Sequence, residues 1–183
     1  MTAANRVRII GGVHRSRVLR FPPTPGLRPS PDRVRETLFN WLGQDLTGYT
    51  CCDLFAGSGA LGFEAVSRGA AKVVMIEKDA RVFQALQQNA KALGCESSVE
   101  LRRLDALEFL REPPRAFDIV FVDPPFDSGM LASIAPALSR LVKRGGMAYI
   151  ESPNGIELEA PWALHREGTA GHVTYQPFSH GHQ

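Results

Sequence analysis

The sequence predicts a doubly wound α/β fold: a mostly parallel sheet of seven strands, preceded by a β-hairpin extension. Three observations predict it. From Tyr49 onward, short apolar runs alternate with helix-like segments, the pattern of parallel strands covered on both faces. The first run, Cys51–Phe55, ends in a glycine-rich turn, Gly57-Ser58-Gly59, and a helix-like segment follows from about Ala60. Glu77 closes the next run, VVMIE, 20 residues after Gly57. At that spacing a carboxylate takes both hydroxyls of a ribose.

Each element has a local reason. Val7–Ile10 and Arg17–Phe21 read as two short strands around a Gly11-Gly12 turn, hence a hairpin. Pro22, Pro23, Pro25 and Gly26 make a connector. Ser30 is placed to cap the helix DRVRETLFNWL, with Pro31 at its first position. Val34, Leu38, Trp41 and Leu42 share one face of that helix, and Arg33 and Arg35 are expected on a basic rim. Further strands are expected at Lys72–Ile76, Val99–Arg103, Asp118–Val122 and Met147–Glu151, the last entered through a Gly145-Gly146 turn. Helices are expected at Ala60–Arg68, Ala80–Leu93, Ala106–Arg111 and Gly129–Val142. Two more strands, near Trp162–Glu167 and His172–Phe178, complete the seven as antiparallel edge strands, and the final SHGHQ is expected to fray. Residues 1–26 form the extension and residues 27–183 the main domain.

Composition bounds the partners. A chain of 183 residues, 44% hydrophobic and 22% charged, suits one domain with a sizeable core. No apolar run approaches the roughly 20 residues that span a bilayer, and MTAANRVRIIGG lacks the apolar core of a signal peptide. Cys51, Cys52 and Cys95 are an odd set without metal-ligand spacing, so a reduced, cytoplasmic protein without a metal is expected. The net charge of +2 hides an asymmetry. Residues 1–40 carry eight Arg against Asp32 and Glu36, which leaves +6 there and −4 on the rest. A basic arm on an acidic body suits a polyanion, and arginine favours bidentate phosphate contacts. Arg6, Arg8, His14, Arg15, Arg17, Arg28, Arg33 and Arg35 are the candidate residues to hold such a polyanion.

A second chemical element is Asp123-Pro124-Pro125-Phe126, after the fourth core strand. The prolines remove backbone N–H groups. An acceptor-only surface remains, the Asp123 carboxylate and the Pro124 carbonyl, which suits both hydrogens of a planar –NH2 group. Phe126 is placed to stack on the attached ring. Ligands of such sheets bind at the carboxyl ends of the strands, so Asp53, Gly57 and Asp123 are expected in one crevice. Asp105 caps the helix at Ala106 or meets an adenine amino group, and both roles are compatible.

Together DLFAGSGALG, Glu77, Asp105 and DPPF resemble a class I S-adenosylmethionine-dependent methyltransferase, with its Rossmann-like fold. The resemblance is closer still to the bacterial RsmD family. RIIGGVHRSRVLRFP, LRPSPDRVRETLFNWL, DLFAGSGALGFEAVSRGA and VDPPF look like that family in the same order, over about residues 6–126. RPSPDR departs from the family's usual R-P-T-x-D-R. The resemblance implies methylation of the N2 amine of a guanine in 16S ribosomal RNA, within the small subunit or an assembly intermediate, by a monomer. It implies that Asp53 and the Gly57–Gly59 backbone, with Phe55 and Ser58, hold the methionine part of the cofactor. Glu77, beside Lys78, would take the ribose, Asp105 and Ala106 the adenine, and Asp123 to Phe126 the target base.

Two other readings share parts of this pattern. DPPF also serves enzymes that methylate adenine N6 in DNA, so the arginine-rich arm carries the distinction. The glycine turn with Glu77 also suits a nicotinamide dinucleotide. A pyrophosphate, however, gains nothing from Asp53, and no catalytic Tyr-Lys or Cys/His arrangement accompanies it.

Overall fold

The computed structural model describes residues 5–126 and 129–181. Strands β1 (Asn5–Arg8) and β2 (Val18–Phe21) form the antiparallel hairpin. Helix α1 (Asp32–Leu42) leads into the main sheet. Then follow β3 (Thr50–Asp53), α2 (Ala60–Ser67), β4 (Lys72–Ile76), α3 (Ala80–Leu93), β5 (Val99–Arg102), α4 (Ala106–Arg111) and β6 (Phe117–Val122). Helices α5 (Met130–Ile134) and α6 (Leu138–Leu141) precede β7 (Val142–Ser152), β8 (Trp162–Leu164), β9 (Gly168–Ala170) and β10 (Val173–His180). The sheet order is β5-β4-β3-β6-β7-β10-β8, and β9 also pairs with β10. Strands β3 to β7 are parallel and β10 is antiparallel to β7. The seventh place in the sheet is shared by two three-residue strands, β8 and β9.

Period-two alternation explains the unbroken apolar runs. Cys51, Val73, Met75, Ile119, Phe121 and Tyr149 face one buried cluster, with α2, α3 and the hairpin. Cys52, Val74, Ile76, Val120, Val122, Ala148 and Ile150 face the other, with Leu138, Leu141 and Phe178. All three cysteines are buried and free, as small core residues.

Four expectations are corrected. Ser30 does not cap α1: Pro31 is the N-cap residue and no side chain caps there, because the Ser30 hydroxyl donates to Glu151 instead. The helix expected over Gly129–Val142 is broken into α5, a 3-10 turn at Ala135–Ala137 and α6, because Pro136 lacks the N–H that would continue it. Gly145 and Gly146 lie inside β7. Gly146 passes so close to β6 that a Cβ would stand 2.7 Å from the Asp118 carbonyl. Finally, Ser179 and His180 of the SHGHQ tail belong to β10. His180 is buried, stacks on Trp162 at 4.5 Å, and its Nδ1 lies 2.8 Å from the Val142 carbonyl oxygen. His182 and Gln183 lie outside the described residues.

Candidate active site

Strands β3 to β7 run parallel, so their carboxyl ends share one edge of the sheet. That edge carries a row of carboxylates. Asp53 ends β3, Glu77 follows β4, Asp105 caps α4, Asp123 follows β6 and Glu151 lies one residue from the end of β7. Asp53 stands opposite Phe121, and Phe121 opposite Tyr149. Val122 pairs with Ile150, which brings the next residues, Asp123 and Glu151, side by side.

The pairing of these groups is unusual. Asp53 is buried, its Oδ2 accepts from the Gly62 N–H at 3.2 Å, and its Oδ1 has no partner. Burial pushes its carboxyl up to about 7, against the pull of the Gly62 and Phe55 N–H groups. Burial, then the Glu151 carboxylate beside it, hold Asp123 well above the usual carboxylate range. Glu151 Oε1 accepts from the Tyr149 hydroxyl at 2.6 Å and from the Ser30 hydroxyl. Burial also raises Glu77, whose carboxylate accepts from the N–H of Gly57 and of Asp79, both at 3.3 Å. Among the described residues no Lys or Arg forms an ion pair with Asp53, Glu77, Asp123 or Glu151.

The glycine turn is tight for a reason that residue packing shows. Gly59 has a φ of 82°, and a Cβ there would stand 2.5 Å from the Phe63 ring. At Gly62 a Cβ would meet Met75 at 2.6 Å, so its absence lets α2 lie close on β4. The turn thus ends in N–H groups beside Asp53 and Glu77. Ser58 is buried and its hydroxyl accepts from the Ala60 N–H at 3.2 Å. Phe55 packs partly against the second core cluster, and Lys78 is exposed. Asp105 is an N-cap, accepting from the Leu107 N–H at 2.8 Å, with Ala106 buried behind it. Pro124 is buried, Pro125 is exposed, and Phe126 is 51% exposed, an open aromatic face at the mouth of the site.

The candidate RNA-binding residues divide. Arg6, Arg8, Arg15, Arg17, Arg28 and Arg33 are exposed, and His14 is half-buried. Arg6 and Arg8 line an open groove of about 400 Å³ with Val18, Pro29 and Ser30. Ser30 connects that groove to Glu151, so the basic hairpin flanks the carboxylate edge. Arg17 is partly tied down, donating to the Ala92 carbonyl at 2.9 Å. Arg35 is a correction: it is 1% exposed, pairs with Asp32 and with Glu64 at 3.6 Å, and donates to the Arg8 and Ser30 carbonyls. Its charge is consumed inside the protein and is not available to a phosphate.

Three residues at the site were missed in the sequence: Ser30, Tyr149 and Glu151. Glu151 reads there only as the end of a strand, and Ser30 only as a cap. The one available signal is a carboxylate at the carboxyl end of the strand beside DPPF.

This geometry meets its comparison in known proteins. Residues 7–179 match the family described as conserved hypothetical protein 95. The ribosomal RNA small subunit methyltransferase D of Escherichia coli K12 is 44% identical, over 96% of this chain and 90% of its own length. The chain belongs to the RsmD family. Its Haemophilus influenzae relative of the same description is 41% identical over 95% of this chain and 94% of its own. Among solved structures, a putative methyltransferase from Escherichia coli superposes with a TM-score of 0.88 at 42% identity, covering 98% of this chain and 100% of the other. An RNA methyltransferase from Salinibacter ruber, in complex with S-adenosyl-L-homocysteine, shares the fold at a TM-score of 0.66 and 20% identity, over 85% and 95% of the two chains. The RsmD chain therefore has the class I methyltransferase fold, with the antiparallel hairpin added at its N-terminal end.

Proposed function

We propose that this chain transfers a methyl group from S-adenosylmethionine to the exocyclic N2 amine of a guanine in 16S ribosomal RNA. The observation that carries the proposal is the single edge on which Asp53, the glycine turn, Glu77, Asp105 and Asp123 converge.

The residues fit the cofactor. The buried Asp53 Oδ1 lacks a partner, a cost that an ammonium or N–H donor would relieve. Glu77 stands beside the turn, which supports a role toward the ribose hydroxyls, and Asp105 would meet the adenine. Bound there, the cofactor supplies a methyl group on an electrophilic sulfonium. The chain's own part is positioning: the Asp123 carboxyl and Pro124 carbonyl accept from the amine, and Phe126 stacks on its ring. Holding the reacting atoms in line is able to supply roughly 7–11 kcal/mol of the barrier. The target guanine must leave its stack to enter the cleft, and the exposed hairpin arginines hold the phosphates around it. The proposed setting is a cytoplasmic monomer acting on the small subunit or an assembly intermediate; among the described residues no helix is long and apolar enough to cross a membrane.

Mass spectrometry of nucleosides tests this directly. Purified protein, methyl donor and small subunits lacking the modification should yield N2-methylguanosine, and duplex DNA should yield nothing. Methyladenosine in DNA instead would replace the substrate with adenine N6.

A further inference from the structure

We propose that Asp123 and Glu151 act as one proton-sharing pair, held in place by the Ser30 and Tyr149 hydroxyls, which takes up the proton that the target amine must lose. This rests on the function proposed above and deepens it, since the acceptor loop alone has no outlet for that proton.

Asp123 and Glu151 follow the paired residues Val122 and Ile150 of neighbouring parallel strands and stand close enough to interact, and two carboxyls at that range bond to each other only with a proton between them. Glu151 is 5% exposed. Both hydroxyls donate to the same oxygen, Oε1, and neither uses Oε2. Among the described residues, the groups facing the pair hold no neutralising cation. From β3 comes Asp53, from β7 Tyr149, and Tyr175 of β10 faces Tyr149 in turn. From α1, Arg35 reaches only the Ser30 carbonyl, at 3.1 Å, while its charge goes to Asp32 and Glu64. Burial and the like charge of Glu151 favour a retained proton on Asp123. The pair therefore starts with one proton and one negative charge.

Atoms and electrons balance in the step. The amine lone pair forms the new C–N bond as the S–C bond of the donor breaks, and that bond's electron pair stays on sulfur. The nitrogen then carries one proton too many. It passes to the pair, which becomes neutral with two protons, and one returns to solvent after the product leaves. Glu151 is here a positioning residue that acts through Asp123, and Ser30 and Tyr149 orient Glu151.

The test is the pH profile of single-turnover methyl transfer to undermodified small subunits at saturating donor, between about pH 5 and 9. The wild-type rate should fall on the acid side, where both carboxyls are protonated. Glu151→Gln leaves Asp123 as the sole acceptor with no partner to share the charge, so its acid limb should move up by about one pH unit, with kcat reduced about tenfold and KM for the subunit unchanged. Ser30→Ala and Tyr149→Phe remove donors that favour the ionised pair, so their limbs should move up. A common upward displacement of the acid limb is not expected of a merely structural cluster. Coincident limbs in all four proteins, or affinity for S-adenosylhomocysteine falling in parallel with kcat, would overturn the pair. Should Glu151→Gln fail to fold, the upward shift in the other two variants decides. A wild-type protein that makes no N2-methylguanosine at any pH would overturn the proposed function itself, and the pair with it.

Discussion

Two regions of this molecule bury carboxylates, and they treat them in opposite ways. Glu64, on α2, is 0% exposed and fully matched. It accepts from the backbone N–H groups of Ile10 and Gly11, both at 2.9 Å, from Arg68 at 2.9 Å, and lies 3.6 Å from Arg35. Those bonds clamp the N-terminal hairpin to the domain. Ser67 adds to them, its carbonyl accepting from Val13 and its hydroxyl from the His14 N–H. At the carboxyl edge of the sheet, Asp53 keeps an oxygen without a partner and Asp123 faces other carboxylates. A buried charge that is matched within the chain holds the fold together. One left unmatched costs stability and is retained for what it will meet.

The largest expected effect is at the matched site. Glu64→Ala should lower stability by about 3–5 kcal/mol, since it strands two arginines and two backbone N–H groups. Denaturant unfolding reads this, and a drop under about 1 kcal/mol would mean that the clamp carries little.

At the unmatched site the sign reverses. Asp53→Asn should weaken binding of S-adenosylhomocysteine about 10- to 100-fold, the worth of a charged hydrogen bond, without lowering the stability of the free protein at pH 8. The pH dependence follows. Because the folded carboxyl is raised from 3.8 to about 7, the folded state binds more protons across that window. Stability of the free protein should therefore fall as pH rises through it. Ligand affinity should run the other way, falling as pH drops below about 7, because the ionised form attracts the ligand's ammonium. Asp53→Asn should flatten both curves; calorimetry and thermal unfolding across pH would expose a wild-type protein that is already flat.

The smallest effect separates exposed from buried arginine. Replacing Arg6 and Arg15 by Ala should reduce the slope of log affinity for RNA against log salt by about 0.7 for each phosphate no longer neutralised. Arg35→Met should leave the slope unchanged and lower stability instead. If Arg35→Met flattened the slope as much, Arg35 would belong to the RNA face after all.

What is legible in the sequence follows the range of each signal. Lys72–Ile76, Ala80–Leu93 and Ala106–Arg111 are readable to the residue, because apolar periodicity and the cap Asp105 are local. The convergence of Asp53, Gly57 and Asp123 is readable because parallel topology forces strand ends together. Arg35 is not, since it looks like any helical arginine until Glu64 arrives beneath it. Nor is the bond from Ser30 to Glu151, which spans 121 positions. The tail misleads for the opposite reason: polar residues suggest fraying, but His180 finds Trp162 and a buried carbonyl. Pro136 is in plain view, and its missing N–H is a local signal that the helix over Gly129–Val142 must break.

The most direct test of the division between matched and unmatched carboxylates is a crystal structure with S-adenosylhomocysteine bound. The amino-acid end of the ligand should lie against the Asp53 carboxylate and the glycine turn, its ribose on Glu77 and its sulfur toward Asp123, with Glu64 untouched in its clamp. A ligand bound elsewhere, with the Asp53 Oδ1 still unpartnered, would contradict that division.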